Sequence, residues 1–137
     1  MSSQNKALVR SIVEEVWNRG NLNIIEKRFS RDYVGHSLRE IEGPQGAKGF
    51  ASEILRAFSN YSHTIEDEIC EGDRVVHRWT AMGIHEAEFQ GIPPSGEQVT
   101  ISGISVYRLA NGKIIEGWTT VDMLGLLQQI DTLLTTI

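Results

Sequence analysis

Cysteine is nearly missing from this chain: Cys70 stands alone among 137 residues. That excludes an internal disulfide and any zinc or iron–sulfur cage built from cysteines, and it predicts a reducing, cytoplasmic setting. Long apolar runs are missing too, since no stretch nears the roughly 20 residues needed to span a bilayer. The opening MSSQNKALVR places no apolar run behind a basic segment, so neither export nor a membrane partner is expected. Basic charge is in deficit, 13 Lys and Arg against 18 Asp and Glu for a net charge of −5. With no basic stripe, nucleic acid is excluded as an expected partner. No repeat, low-complexity tract or Pro/Gly/Ser linker divides the sequence, which predicts one domain over residues 1–137.

Several reaction signatures are also absent. Gly91 to Gly96 has Walker-like glycine spacing, but Glu97 and Gln98 replace the lysine and hydroxyl residue, so no phosphate loop is expected. Gly103-Ile104-Ser105-Val106-Tyr107 lacks the second glycine of a nucleophile elbow. Cys70 lies beside Glu68 and Glu71, whose charge raises a thiol pKa and argues against a nucleophile.

What is present is 40% hydrophobic residues in two different periods. Leu8, Ile12, Val13, Val16 and Trp17 recur at helical spacing, predicting an amphipathic helix over Ser3–Arg19 with Gly20 as its stop. Leu22, Ile25 and Phe29 suggest a short second helix, Tyr33 to His36 a brief extended piece, and Phe50, Ile54, Leu55 and Phe58 a third helix beginning beyond Pro44 and Gly49. From Ser62 onward the period becomes two. Thr64–Cys70, Arg74–Phe89, Val99–Leu109 and Ile114–Val121 read as strands, and Met123–Leu134 as a closing helix. The class is α+β, with helices packed on an antiparallel sheet.

Asn111-Gly112 favours a two-residue type I′ hairpin, because both positions need positive φ. Counting outward from Ala110 opposite Lys113 pairs Tyr107 with Glu116, Ser105 with Trp118, Gly103 with Thr120 and Ile101 with Asp122 on one face. Gaps at Gly103 and Ser105, an apolar wall at Trp118 and carboxylates at Glu116 and Asp122 predict a pocket for a hydrophobic or aromatic small molecule. Glu116, nearer the turn, is expected to be solvated. The other face carries Ile104, Val106, Ile115 and Val121, which predicts a homodimer through the convex side of the sheet. For Arg74–Phe89 the register is open. Val75, His77, Trp79, Ala81 and His85 form one column and Val76, Arg78, Thr80, Met82 and Ile84 the other, with a bulge at Gly83 able to exchange them.

Gly72-Asp73-Arg74-Val75-Val76, Arg78-Trp79, Gly83-Ile84-His85, Phe89-Gln90-Gly91-Ile92-Pro93-Pro94-Ser95-Gly96, Gly112-Lys113-Ile114-Ile115-Glu116 and Asp122-Met123-Leu124-Gly125-Leu126-Leu127-Gln128-Gln129, in that order, resemble the SnoaL-like polyketide cyclases of the NTF2-like superfamily. The resemblance implies a cone of helices around a curved sheet with a deep pocket. It also implies cofactor-free ring closure by intramolecular aldol condensation, with an acidic residue near the end of the last strand. Asp122 matches that position. The family's cyclases carry a histidine where this chain has Ser105, a departure at the centre of the pocket.

Asp122 beside Trp118 would be desolvated and suited to general acid/base work. The alternative makes it the N-cap of the helix starting at Met123. His36 and His85 match the resemblance and are candidates to bind or polarise a carbonyl, or else histidines satisfied in the core or rim. Arg78 is a candidate anchor for a carboxylate or oxyanion, or the partner of Glu66 or Glu68 across the sheet. Trp79 and Trp118 read as packing residues, one also shaping the pocket. No metal is expected: His77 and His85 are about 26 Å apart along one strand at roughly 3.3 Å per residue, and His63 has no companion ligand. The leading expectation is a cofactor-free, ester-cyclase-like enzyme with Asp122 catalytic and His36, Arg78, His85, Ser105, Tyr107 and Trp118 binding the ligand. The alternatives are a related isomerase or hydroxylase, a non-catalytic binding protein, or a dimeric scaffold.

Overall fold

A computed structural model describes residues 2–131 of the chain. Helix α1 (Ser2–Ile12) runs directly into a π-helical segment, Val13–Asn18, so the expected first helix is present but wound wider in its second half. Gly20, at φ 70°, ends it. Helix α2 (Ile24–Arg28) leads into strand β1 (Phe29–His36), the three-residue β2 (Glu40–Glu42) and helix α3 (Gly43–Ala57). Helix α3 starts earlier than its apolar spacing suggests, because Pro44 occupies the first turn, where a missing N–H breaks no helical hydrogen bond. Strand β2 has no counterpart in the sequence reading, being too short to show a period.

Four long strands follow: β3 (Phe58–Glu71), β4 (Arg74–His85), β5 (Gln98–Ala110) and β6 (Lys113–Val121). Helix α4 (Met123–Ile130) closes the described part, and the expected continuation to Leu134 lies outside the described residues. The six strands form one curved, unclosed sheet in the order β2-β1-β6-β5-β4-β3. All neighbours are antiparallel except β1 and β6, which run parallel. Helices cover the concave face, giving the α+β class that the residue pattern predicts and the NTF2-like architecture that the resemblance implies.

Between β4 and β5 the register is unbroken from Arg74 opposite Arg108 to Ile84 opposite Gln98. β4 itself carries no bulge at Gly83, the irregularity there lying in β3 between Ser59 and Ser62, so Val75, His77, Trp79, Ala81 and His85 all point inward and are buried, while Arg78 and Met82 point outward. The β5–β6 hairpin corrects the sequence reading. Asn111 and Gly112 take positive φ (52° and 72°) and Ala110 faces Lys113 as expected. A bulge then intervenes, pairing Leu109 with Ile114 but Arg108 with Glu116, which leaves Ile115 as the extra residue. Every pair beyond it slips by one: Tyr107 faces Gly117, Ser105 faces Thr119 and Gly103 faces Val121.

The slip has a packing reason. The Tyr33 ring lies across β1 and β6 so closely that a Cβ on Gly117 would sit 3.1 Å from its hydroxyl, and one on Gly35 would be closer still. Without the bulge, Glu116 or Trp118 would press into that space. The core divides into two clusters, one holding Val9, Ile12, Ile25, Phe29 and Ile114 beneath α1 and α3, the other holding Phe58, Ala81, Val99, Ile101 and Leu126 beneath α4.

Candidate active site

Between the two clusters lies an apolar cavity of about 130 Å³. Ile12, Val16 and Trp17 from the first helical stretch, Phe50 and Ile54 from α3, and Leu126 from α4 form its helical side. Its sheet side carries Tyr61, His63, Trp79, Ser105, Tyr107 and Thr119. These residues alternate with period two along β3, β4, β5 and β6, so the sheet pleat gathers their polar atoms on one wall.

The wall is partly self-satisfied. The Trp79 indole N–H donates to Ser105 Oγ at 3.0 Å, and Ser105 Oγ lies 2.9 Å from Thr119 Oγ1. Gly103 makes this possible, because a Cβ there would strike the Trp79 ring and the Thr120 carbonyl. Burial raises the pKa of the Tyr61 and Tyr107 phenols, so both stay protonated as hydrogen-bond donors.

His63 is held more tightly than its position near the sheet edge suggests. Asn18 clamps its backbone, Oδ1 accepting from the His63 N–H at 2.7 Å and Nδ2 donating to its carbonyl at 3.1 Å. The imidazole stacks on Trp79 at 4.6 Å and lies near-parallel to Trp17 at 6.0 Å. Nδ1 meets the Tyr61 hydroxyl at 3.2 Å, while Nε2 has no protein partner among the described residues. Burial between the indoles, reinforced by nearby His77, pushes its pKa down to about 4, so the ring is neutral at pH 7.

The expected site residues divide. Ser105 and Tyr107 line the cavity; the others do not. Trp118 and Glu116 face the convex side, carried there by the bulge, with Trp118 stacked on His36 at 5.7 Å. His36 contacts Glu40 (2.6 Å) and Glu116 (2.9 Å), and Arg108 completes the group through Glu116 at 2.9 Å. Arg78 is exposed on the same convex face, opposite Asp67 rather than Glu66 or Glu68. His85 is fully buried but serves the loop: its Nδ1 accepts the Ser95 backbone N–H at 3.2 Å, and its own backbone binds Glu97 and Gly96.

Asp122 is exposed, and its Oδ1 accepts the Gly125 N–H at 2.9 Å as the N-cap of α4. Val121 and Met123 on either side line the cavity, but the carboxylate between them points away. Val121, expected on the convex face, is likewise moved inward by the register slip. Sequence reasoning missed Tyr61 and His63. Their alternation with Ile65 is a legible signal, but it starts before Thr64, where the strand pattern of the sequence becomes continuous. Among the described residues no group of three His, Cys, Asp or Glu is placed to hold a metal ion.

A curved sheet covered by helices over a partly open apolar cavity defines a small-molecule pocket protein. The chain belongs to the SnoaL-like polyketide cyclase family, whose model matches residues 7–130. Among solved structures it is similar to a candidate SnoaL-like polyketide cyclase from Jannaschia sp. CCS1, at 25% identity, TM-score 0.88, and 94% and 92% coverage of this chain and that one. It also resembles AclR, a candidate hydroxylase from Streptomyces galilaeus, at 29% identity, TM-score 0.84, and 100% and 99% coverage. A Catenulispora acidiphila protein with a ketosteroid isomerase-like fold shares the fold at 17% identity, TM-score 0.73, and 90% and 91% coverage. No curated protein matches the chain.

Proposed function

We propose that this chain is a cofactor-free, cyclase-like enzyme that moves a proton α to the carbonyl of a compact, largely apolar molecule, an aldol-type ring closure being the family's version of that step. The observation that supports it best is the cavity itself, a partly open apolar pocket with hydroxyls and one neutral imidazole gathered on a single wall. Its volume limits the ligand. An engineered apolar cavity of about 150 Å³ holds benzene, so a cavity of about 130 Å³ takes one ring or a short chain without rearrangement.

In the family's arrangement Asp122 is the acid/base. Here that role requires its carboxylate to leave the Gly125 N–H and turn inward past Val121 or Met123 when ligand binds. A second reading, a non-catalytic binding protein, is favoured by one observation: no Asp or Glu is among the residues lining the cavity. A second copy of the chain is the proposed cover for the convex face, where Ile69 and Ile104 are 59% and 49% exposed. Charged substitution at Ile104 would then yield monomer in sedimentation. The single free cysteine keeps the proposed location cytoplasmic.

Native mass spectrometry of the protein incubated with cell extract, beside Asp122→Asn, tests the main reading. A ligand converted by the wild type and retained unchanged by the variant supports acid/base chemistry at Asp122, and one converted by both supports an enzyme whose base lies elsewhere in the cavity. Unchanged ligand in both favours the binding protein, and no ligand in either removes the pocket reading.

A further inference from the structure

We propose that His63, through Nε2, is the base that takes the substrate's α-proton in this cavity. The inference rests on the catalytic reading of the pocket and takes the proton acceptor from the lining itself, which among the described residues holds no Asp or Glu.

The polar wall narrows the choice. Trp79, Ser105 and Thr119 are committed to one another, and the buried phenols of Tyr61 and Tyr107 stay protonated. His63 lines the cavity and its Nε2 has no protein partner among the described residues; in the tautomer whose Nδ1–H points to Tyr61 Oη, that Nε2 carries the lone pair. Its ring is preorganised from three directions: the Asn18 clamp fixes the backbone, Trp79 and Trp17 fix the plane, and Tyr61 engages Nδ1. Restricting the rotamer in this way is what a positioned base requires. The π-helical winding of Val13–Asn18 brings Trp17 and Asn18 to the same histidine, and such windings recur at functional sites.

The step balances without a co-reactant. With Nδ1–H donated to Tyr61 Oη, the Nε2 lone pair takes the α-proton. The C–H electron pair moves into the enolate double bond, and the carbonyl oxygen takes the charge. The imidazolium then returns the proton to carbon or to the oxygen of the new aldol. The ring starts neutral, so it needs no prior deprotonation at pH 7, and its basicity is near that of an ordinary carboxylate. It thereby replaces an aspartate in function.

Cyclohex-3-en-1-one, one ring in size, probes the base without the native substrate. Removing its C2 proton and returning a proton at C4 gives the conjugated enone, followed by ultraviolet absorbance. Tryptophan fluorescence reports binding independently, since Trp17 and Trp79 line the cavity. The expected result is saturable isomerisation by the wild type and a loss of about 100-fold in kcat for His63→Gln, with ring binding kept. Loss in Asp122→Asn while His63→Gln retains its rate overturns the inference and leaves the pocket reading intact. Absence of ring binding by the wild type overturns both. If His63→Gln does not fold, diethyl pyrocarbonate on the wild type replaces it. Carbethoxylation mapped to His63, slowed by cyclohexanone and abolishing turnover, supports the assignment; full turnover after His63 is modified refutes it.

Discussion

His63 and His36 occupy opposite faces of one sheet, and their surroundings drive them in opposite directions. On the concave face, burial between two indoles holds the His63 pKa down to about 4. On the convex face, hydrogen bonds to Glu116 and Glu40 raise that of His36. The two tryptophans nearest them divide likewise: Trp79 is buried and bonded to Ser105, whereas Trp118 is half-exposed between His36 and Arg74. Residue type alone therefore says little about chemistry here. The side of the sheet on which a residue falls decides whether it meets apolar rings or carboxylates.

The sharpest way to break this contrast is to truncate both tryptophans. Trp79→Ala should cost about 3–5 kcal/mol, the range for removing a large buried aromatic, while Trp118→Ala should cost no more than about 1 kcal/mol; urea denaturation measures both. Equal losses would mean that the convex face is as closely packed as the concave one.

The histidines give opposite pH dependence. His63 has a folded pKa below its unfolded value of about 6.5, so the stability it contributes is full above that pH and is lost as pH falls toward 4. The loss is on the order of 3 kcal/mol across the window. His36, with a raised folded pKa, contributes stability below about pH 6.5 that disappears as pH rises through its folded value. Denaturation curves from pH 4 to 8 should have a shallower acid-side slope in His63→Gln, His77 and the paired glutamates supplying the remainder, and should lose the opposite contribution in His36→Gln.

Gly103→Ala should destabilise by about 2 kcal/mol, since the methyl meets the Trp79 ring and a backbone carbonyl that cannot both retreat. Thermal unfolding and the shift of Trp79 fluorescence report it together. The smallest effect is expected at the cavity rim. Asp122→Ala removes the α4 cap and should cost about 1 kcal/mol. Asp122→Ser, which restores a capping oxygen, should recover most of it.

Much of the fold was legible because its signals are local. Helical spacing marked α1 and α4, period-two alternation marked β3 to β6, and Asn111-Gly112 marked a hairpin whose first pair, Ala110 with Lys113, was placed correctly. The column Val75, His77, Trp79, Ala81 and His85 is one of two that period-two alternation allows, and the sequence leaves open both its side and a switch at Gly83; the structure keeps it whole and inward. Ser105 and Tyr107 were placed in the pocket, and the alternative reading of Asp122 as a helix cap describes its contact in the structure.

The site was less legible because one residue redirected it. The bulge at Ile115 reverses every later side chain in β6, sending Trp118 and Glu116 outward and drawing Thr119 and Val121 inward. No local turn signal announces it. Its cause is the Tyr33 ring, whose need for bare backbone at Gly35 and Gly117 arises from a strand some 80 residues earlier in the chain. His63 was obscured for a similar reason, since its partners Asn18 and Trp17 lie 45 residues or more away in sequence.

Periodicity, turn chemistry and motif order along the chain are enough for the class of fold, the family and the order of the longer elements, but not for the three-residue β2. Which atoms face the cavity depends on packing between distant parts of the chain. In a sheet the side-chain period is two, so a single extra residue exchanges the faces, and whether one is tolerated depends on the space left by residues packed from distant parts of the chain.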